Sequence, residues 1–285
     1  GATEANNLAL KGVFEMYASK GNHIITATTE HKAVLDTCKH IEKSGGEVTY
    51  LQVNAEGLID LKELEAAIKP TTILISIMYA NNETGVLQDL KAVTKIARGH
   101  GALVLTDCVQ ALGKIPIDVH AWDVDYASFS AHKLYGPKGV GALYIKQGSP
   151  FTPLLHGGHQ ESGLRAGTEG IHNIVGFSAA CQEVDKLLAH AGQTQALKRE
   201  LIQRLKQIKP DCVINSPETD CLPNTLSITF PGVENAGLMG MLDFRGIAVS
   251  AGSACSTGED TPSHVLKAIG VSDQAARETI RISLG

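Results

Sequence analysis

The first 145 residues alternate between short apolar runs of strand length and amphipathic runs of helix length, and this alternation limits the chain to few folds. Apolar, β-branched runs occupy residues 23–28, 47–53, 73–78 and 103–106. Between them apolar residues recur at helical spacing, as in Val34, Cys38 and Ile41. This alternation predicts right-handed crossovers and an α/β fold, with a mostly parallel sheet sandwiched by helices. Ligands of such folds bind beyond the carboxyl ends of the strands.

The pattern changes after about Phe151. A helical pattern runs from Ile171 through Leu188, and a second helix is expected to carry Leu197 through Ile208. A strand is predicted over residues 223–230, and alternation over Ile280 to Leu284 predicts another. These elements indicate a smaller α+β unit that follows the alternating part of the chain.

Two domains are therefore expected: a large cofactor-binding α/β domain over residues 1–188 and a small C-terminal α+β domain over residues 189–285. The chain begins at Gly1 inside what reads as a turn and the first turn of a helix, with Thr3 as its cap and Glu4 near its positive end. We expect further segments of the protein before Gly1 and after Gly285.

Composition argues against several classes of function. The 285 residues are 43% hydrophobic and carry a net charge of −5 without a basic tract, which argues against nucleic-acid binding. No apolar run approaches the span of a bilayer. Six cysteines without paired spacing are typical of reduced thiols, and His156 with His159 is too little to predict a metal site. We expect a cytoplasmic protein that has no metal and binds no membrane.

Polar residues follow the predicted strands on one edge of the sheet. The strand through Phe129 stops at Ser130, His132 and Lys133, and a lysine there would face a pocket that favours its neutral, nucleophilic amine. Alone, it could equally be a solvated loop lysine. Three further strands are followed by His31, by Asn82, and by Asp107 with Gln110. A lysine, an aspartate, a histidine able to stack and a helix start able to bind phosphate together suit pyridoxal phosphate.

Motifs spread over the whole chain carry a resemblance to a known family. They are Gly1–Asn7 (GATEANN), 30–33 (EHKA), 81–85 (NNETG), 106–110 (TDCVQ), 130–133 (SAHK), 165–168 (RAGT), 250–255 (SAGSAC) and 280–283 (IRIS). In order and spacing they resemble the NifS/IscS-type cysteine desulfurases. These are pyridoxal phosphate-dependent enzymes of fold type I in the class V aminotransferase family.

The resemblance implies a role for each residue that would hold the cofactor. Lys133 would bind pyridoxal 5'-phosphate covalently and move protons at the substrate carbon. Asp107 would keep the pyridine nitrogen protonated, and Gln110 would donate a hydrogen bond to the phenolic oxygen. His31 would stack on the ring and act as an acid/base group, and Asn82 would contact the same edge of the cofactor.

The same resemblance implies a phosphate site and a dimer. Ala2, Thr3, Ser130 and His132 would surround the cofactor phosphate at the helix start. Thr168 would reach the phosphate of a neighbouring subunit, so that the active site would require a homodimer.

Substrate and sulfur would be handled by the C-terminal part of the chain. Arg281, with Asn82, would bind the carboxylate of L-cysteine, although a surface salt bridge is the alternative for this arginine. Cys255 lies among small residues and would accept the sulfur. Cys38 is expected in the core, and Cys108 either packs, which we favour, or forms adducts with the cofactor.

The predicted function is conversion of L-cysteine to L-alanine with a persulfide left on Cys255. A sulfur-acceptor protein such as an iron–sulfur scaffold would then receive the sulfur. Three alternatives stay open on the sequence: a selenocysteine lyase, an aminotransferase of the same fold, and an inactive sulfur-transfer scaffold. An aminotransferase would need no nucleophilic Cys255.

Overall fold

Six strands form one mixed sheet in the N-terminal half: β1 (His23–Ala27), β2 (Glu47–Leu51), β3 (Thr72–Ser76), β4 (Leu103–Asp107), β5 (Tyr126–Ser130) and β6 (Gly141–Ile145). The computed structural model describes residues 1–252 and 261–285. The strand order is β2-β1-β3-β4-β5-β6, and only β6 is antiparallel to its neighbour. The predicted fold class, a mostly parallel sheet between helices, is confirmed.

Helices cover both faces of this sheet: α1 (Ala2–Met16), α2 (Lys32–Lys43), α3 (Leu61–Ala67), α4 (Leu90–Gly99) and α5 (Val119–Trp122). Leu10 of α1 and Val34 of α2 share one apolar cluster with Ile24 of β1. The neighbouring residue Ile25 faces the opposite cluster, with the helix α4 residue Val93. Successive side chains of a strand point to opposite faces of the sheet, and both faces are covered here. β1 and β3 are therefore buried along their whole length.

The described part of the C-terminal half contains five α-helices and a second sheet: α6 (Ile171–Gln182), α7 (Val184–Ile208), β7 (Val213–Ile214), β8 (Thr225–Thr229), α8 (Asn235–Asp243), α9 (His264–Ala268), α10 (Asp273–Arg277) and β9 (Thr279–Ser283). The three strands are antiparallel in the order β7-β8-β9. Cys212, Leu226, Ile228 and Ile280 form the buried centre of this unit. The boundary between residues 188 and 189 falls inside α7 and stays a prediction.

The predicted position of the break between the two long helices is wrong. We expected it between Leu188 and Leu197, but α6 ends at Gln182 and α7 runs unbroken from Val184 to Ile208. The Glu183 amide donates to the Ala180 carbonyl, three residues back, and this tighter bond ends α6. An exposed helix tolerates Gly192, since glycine costs it only about 1 kcal/mol.

No helix within residues 1–252 and 261–285 is long and apolar enough to cross a membrane.

Candidate active site

A cavity of about 580 Å³ lies where four strands of the large sheet end. Residues that follow β1, β3, β4 and β5 line it, together with the start of α1. Ten residues predicted from the sequence lie on its wall: Ala2, Thr3, His31, Asn82, Asp107, Gln110, Ser130, His132, Lys133 and Arg281. The fold therefore brings together residues from one end of the chain to the other.

Lys133 is presented to the cavity by a short turn after β5. The strand ends at Ser130, and residues Ala131–Leu134 form a single 3₁₀ turn. Ala131 and Leu134 are both buried, so they anchor this turn on either side of Lys133. The expected position of the lysine, facing a pocket at the sheet edge, agrees with the cavity lining.

Asp107 lies buried at the end of β4, and both its carboxylate oxygens accept a hydrogen bond. The Val109 amide donates to Oδ1 at 2.9 Å, and Asn6 Nδ2 donates to Oδ2 at 2.8 Å. Burial raises the pKa of Asp107, while these two donors and nearby His31 act to lower it. The arrangement fixes the carboxylate in a position where a cationic ligand would favour its charged form.

Asn6 lies within the motif of residues 1–7, but none of the predicted roles falls on it. It is fully buried in α1, and its side chain reaches across 101 residues of sequence to Asp107. The available signal was an amide side chain among Ala5, Leu8 and Ala9 on the apolar face of a helix. A buried amide needs a partner, and here the partner is the aspartate.

His31 rests in one defined tautomer. It caps α2, and its Nδ1 accepts a hydrogen bond from the Ala33 amide at 3.0 Å. An acceptor nitrogen carries no proton, so the proton of the neutral ring is on Nε2. Burial lowers the pKa of His31, nearby Lys133 lowers it further, and Asp107 opposes both. The neutral histidine therefore offers an N–H donor at Nε2.

The start of α1 lies on the cavity wall without a side-chain cap. Gly1 is the N-cap residue and makes no side-chain hydrogen bond to the helix. The expectation that Thr3 caps the helix is wrong, because α1 begins at Ala2 and Thr3 already lies within its first turn. Ser130 Oγ and His132 Nδ1 share a hydrogen bond of 2.8 Å at the same wall. Free helix amides beside a hydroxyl form a favourable anion site.

Arg281 enters the cavity from the other sheet. It lies on β9, and its Nη1 donates to the Asn82 carbonyl at 2.8 Å, across 199 residues of sequence. This contact holds the guanidinium at the cavity wall. A guanidinium has five N–H donors in a planar fork, which is suited to bidentate binding of a carboxylate.

Two predicted residues do not lie on the described wall. Thr168 is exposed and does not line the cavity of its own chain. Three residues earlier, Arg165 is held by Glu4 of α1, with Nε at 2.7 Å from Oε1. Cys255 lies outside the described residues. Cys38 is buried in the core as predicted, and Cys108 is also fully buried among core side chains, in agreement with packing.

Comparison with known proteins places this geometry in a family. The family described as aminotransferase class-V matches residues 1–285. Cysteine desulfurase IscS of Proteus mirabilis (strain HI4320) is 47% identical over 289 residues, covering all of this chain and 70% of the relative. Cysteine desulfurase IscS of Haemophilus influenzae (strain PittGG) is 46% identical, with the same coverage.

Solved structures give the same result. A NifS-like protein superimposes with a TM-score of 0.92 at 42% identity, covering 99% of this chain and 75% of the other. SspA in complex with cysteine gives a TM-score of 0.85 at 40% identity, covering 100% of this chain and 79% of the other. The resemblance inferred from the sequence motifs is confirmed: the chain belongs to the class V aminotransferase family and, within it, to the NifS/IscS-type cysteine desulfurases.

Proposed function

We propose that this protein is a pyridoxal phosphate-dependent cysteine desulfurase. It would convert L-cysteine to L-alanine and retain the sulfur as a persulfide on Cys255. The observation that carries the proposal is the placement of Lys133 and the buried Asp107 in one cavity at the uncapped start of α1. These three features match the aldehyde, the ring nitrogen and the phosphate of one cofactor.

The residues present fit this cofactor. The buried carboxyl of Asp107, whose pKa is raised by burial, would be stabilised in its charged form by a protonated ring nitrogen. The free amides of α1, with Ala2, Thr3, Ser130 and His132, would hold the phosphate. The cavity volume of about 580 Å³ is in the usual range for a cofactor with a small substrate.

The roles of the chain's own groups follow from where they lie. Bound pyridoxal phosphate supplies an electron sink for the electron pair left when the substrate Cα loses its proton. Lys133 would hold the cofactor at its carbonyl carbon until the substrate amine takes that place, and the freed Lys133 amine would then carry the proton to and from Cα. His31, neutral with its proton on Nε2, would lie against the ring and donate to the reacting groups. Gln110 would donate to the phenolic oxygen.

Substrate binding and sulfur transfer would rest on groups from the C-terminal half. Arg281, held by the Asn82 carbonyl, would bind the substrate carboxylate together with Asn82. The Cys255 thiolate would attack the substrate sulfur, so that an S–S bond forms as the substrate C–S bond breaks. The electron pair of that C–S bond remains on the carbon and is protonated, giving L-alanine and a persulfide without an external oxidant.

We also propose a homodimer in which Thr168 serves the partner's cofactor phosphate. The surface next to Thr168 supports this proposal, because α6 has no buried residue and exposes large apolar side chains, with Ile171 at 67% and Val175 at 61%. Apolar patches of this kind mark subunit interfaces. Light scattering should give a molar mass in solution of twice the chain mass. The double variant Ile171→Asp and Val175→Asp should have the mass of a single chain.

The persulfide would pass to an acceptor protein such as an iron–sulfur scaffold, in the cytoplasm.

Desulfurase activity itself is tested by incubating the purified protein with pyridoxal phosphate and L-cysteine. We expect a visible absorbance band from the bound cofactor, equal amounts of alanine and transferable sulfur, and persulfide on the peptide that contains Cys255. Formation of mercaptopyruvate, the keto acid that retains the sulfur, would instead indicate an aminotransferase, and formation of pyruvate with free sulfide would indicate a lyase.

A further inference from the structure

Lys114 is a cation beside the cavity to which the proposed chemistry gives no task. Its Nζ donates to Gln110 Oε1 at 2.6 Å, and Gln110 lines the cavity. Residues 110 and 114 lie on the same side of a helix-like turn, in which the Ile115 amide donates to the Ala111 carbonyl. Gly113 lies against Leu134, and a Cβ on Gly113 would be 2.2 Å from Leu134 Cδ1. This close approach sets Lys114 beside the turn that carries Lys133.

The hydrogen bond decides which way the Gln110 amide faces. An ammonium group has only donors, so it must meet the amide through its oxygen, and the two N–H donors on Nε2 are directed elsewhere. Among residues 1–252 and 261–285, Nε2 donates to no protein group. Lys114 therefore fixes the Gln110 amide in the orientation that leaves its N–H groups for a ligand acceptor in the cavity.

We propose that Lys114 is a positioning residue, which fixes and polarises the Gln110 amide so that it donates to an acceptor oxygen of the bound cofactor. This inference rests on the proposed function, because pyridoxal phosphate carries such an oxygen on its ring. A cation on the oxygen side of an amide strengthens the amide's N–H groups as donors. The acceptor would be the phenolic oxygen, in its anionic form.

The surroundings of Lys114 agree with a functional role. Partial burial lowers the pKa of Lys114 to about 8, and the nearby cations Lys133 and Arg281 contribute to the shift. A cofactor with a phosphate and a phenolate would be attracted to a cation in this position, and Lys114 lies beside the cavity that would bind it.

The test is a double-mutant cycle between the two residues. Lys114→Met removes the donor at nearly the same side-chain length, and Gln110→Ala removes the amide. The readouts are the Kd for pyridoxal phosphate and the visible absorbance of the bound cofactor, which reports the charge on its phenolic oxygen. Lys114→Arg keeps the cation, and Lys95→Met removes an exposed lysine of α4 as a matched control.

We expect Lys114→Met to raise the Kd about tenfold and to shift the absorbance band. Lys114→Arg should keep the Kd and the absorbance band close to those of the parent. Lys95→Met should change neither the Kd nor the band. In the Gln110→Ala background, Lys114→Met should add less than about twofold, because its effect passes through Gln110. A purely structural lysine would leave the band unshifted and would act equally in both backgrounds.

The inference would be overturned if Lys114→Met raised the Kd for pyridoxal phosphate by the same factor in the parent and in Gln110→Ala. It would also be overturned if Lys114→Met bound the cofactor as the parent does. Both outcomes would leave the proposed function intact. If the parent protein itself binds no pyridoxal phosphate, the proposed function fails and this inference fails with it. Thermal unfolding of the apo-variants checks their folding. A loss of folding in Lys114→Met moves the comparison to Lys114→Gln, for which the same outcomes apply.

Discussion

The two sheets contribute different groups to one cavity. The carboxyl ends of strands in the six-stranded sheet provide His31, Asp107 and Lys133, three of the groups proposed to hold the cofactor. Among the described lining residues, only Arg281 comes from a strand of the three-stranded sheet. The proposed charged partner of the substrate carboxylate therefore lies on a different sheet from the proposed cofactor groups, and mutation should be able to separate the two kinds of binding.

Two central strands of the large sheet also differ in burial from the edge strand that carries Arg281. β1 and β3 are buried from end to end, whereas β9 is buried at Thr279 and Ile280 and becomes partly exposed from Arg281 onward. Groups fixed on a core buried on both faces are held more precisely than groups on a partly exposed strand. The groups proposed to hold the cofactor thus follow or end largely buried strands, while the substrate arginine lies on a partly exposed strand and donates to the Asn82 carbonyl.

The largest effect is expected for Lys133→Ala, on the side of the large sheet. Turnover of L-cysteine should fall about 10⁵-fold, because covalent attachment of the cofactor and proton transfer are both lost. Noncovalent cofactor binding should persist through the phosphate and Asp107 contacts. Alanine formation and cofactor retention after gel filtration measure the two effects. Lys91→Ala, an exposed lysine of α4, serves as the control; parental turnover by Lys133→Ala would contradict the assignment.

Cys255→Ser tests the proposed sulfur acceptor without touching the cofactor groups. Persulfide formation should stop and alanine formation should fall at least about 10³-fold, because a hydroxyl is a far weaker nucleophile at neutral pH. Cofactor and L-cysteine should still bind, with the spectral change on adding L-cysteine retained. Cys181→Ser, at an exposed cysteine of α6, should behave as the parent. Persulfide mapped to another cysteine, with Cys255→Ser active, would disprove the mechanism.

Arg281→Gln tests the division between the sheets most directly. The KM for L-cysteine should rise about 10- to 100-fold, since a charge-assisted hydrogen bond to a carboxylate contributes about 1.5–3 kcal/mol. The Kd for pyridoxal phosphate should change less than about threefold. Steady-state kinetics and cofactor titration give both values, and Arg281→Lys should lie between parent and Gln. A larger loss of cofactor affinity than of substrate affinity would break the proposed separation.

The smallest expected effect is on the pH dependence of folding stability, and it comes from the buried residue Glu30. Burial raises the pKa of Glu30 well above its usual value, although the Met78 amide donates to its Oε1 at 2.5 Å. A carboxyl that stays protonated in the folded state but ionises in the unfolded state destabilises the fold as pH rises above about 4.5. This cost grows until the pH passes the raised pKa of the folded state.

Glu30→Gln keeps an acceptor for Met78 and removes the titration. The free energy of unfolding of Glu30→Gln relative to the parent should therefore increase with pH, by up to about 1.4 kcal/mol per pH unit. Urea unfolding between pH 5 and pH 8 measures it, in steps of about one pH unit. Glu15→Gln, at an exposed position of α1, should show no such trend. A flat difference for Glu30→Gln would mean that the folded carboxyl is already ionised.

Local sequence patterns determined the order of strands and helices in the first 145 residues and the placing of polar residues after the strands. They did so because side-chain periodicity and turn residues act over a few positions. The predicted strand at 73–78 is β3 at Thr72–Ser76, and the predicted strand through Phe129 is β5 at Tyr126–Ser130. Lys133 could be marked as a candidate because its motif follows directly on that strand.

Tertiary structure alone decided how these residues meet. The contacts of Asn6 with Asp107, Glu4 with Arg165 and Arg281 with Asn82 join residues 101, 161 and 199 positions apart. Such pairs depend on the packing of whole elements, which no local pattern encodes. The same limit explains the wrong helix break and the wrong Thr3 cap, since a helix end is set by specific hydrogen bonds of the folded chain. The sequence determined which groups are available, and packing determined which atoms they face.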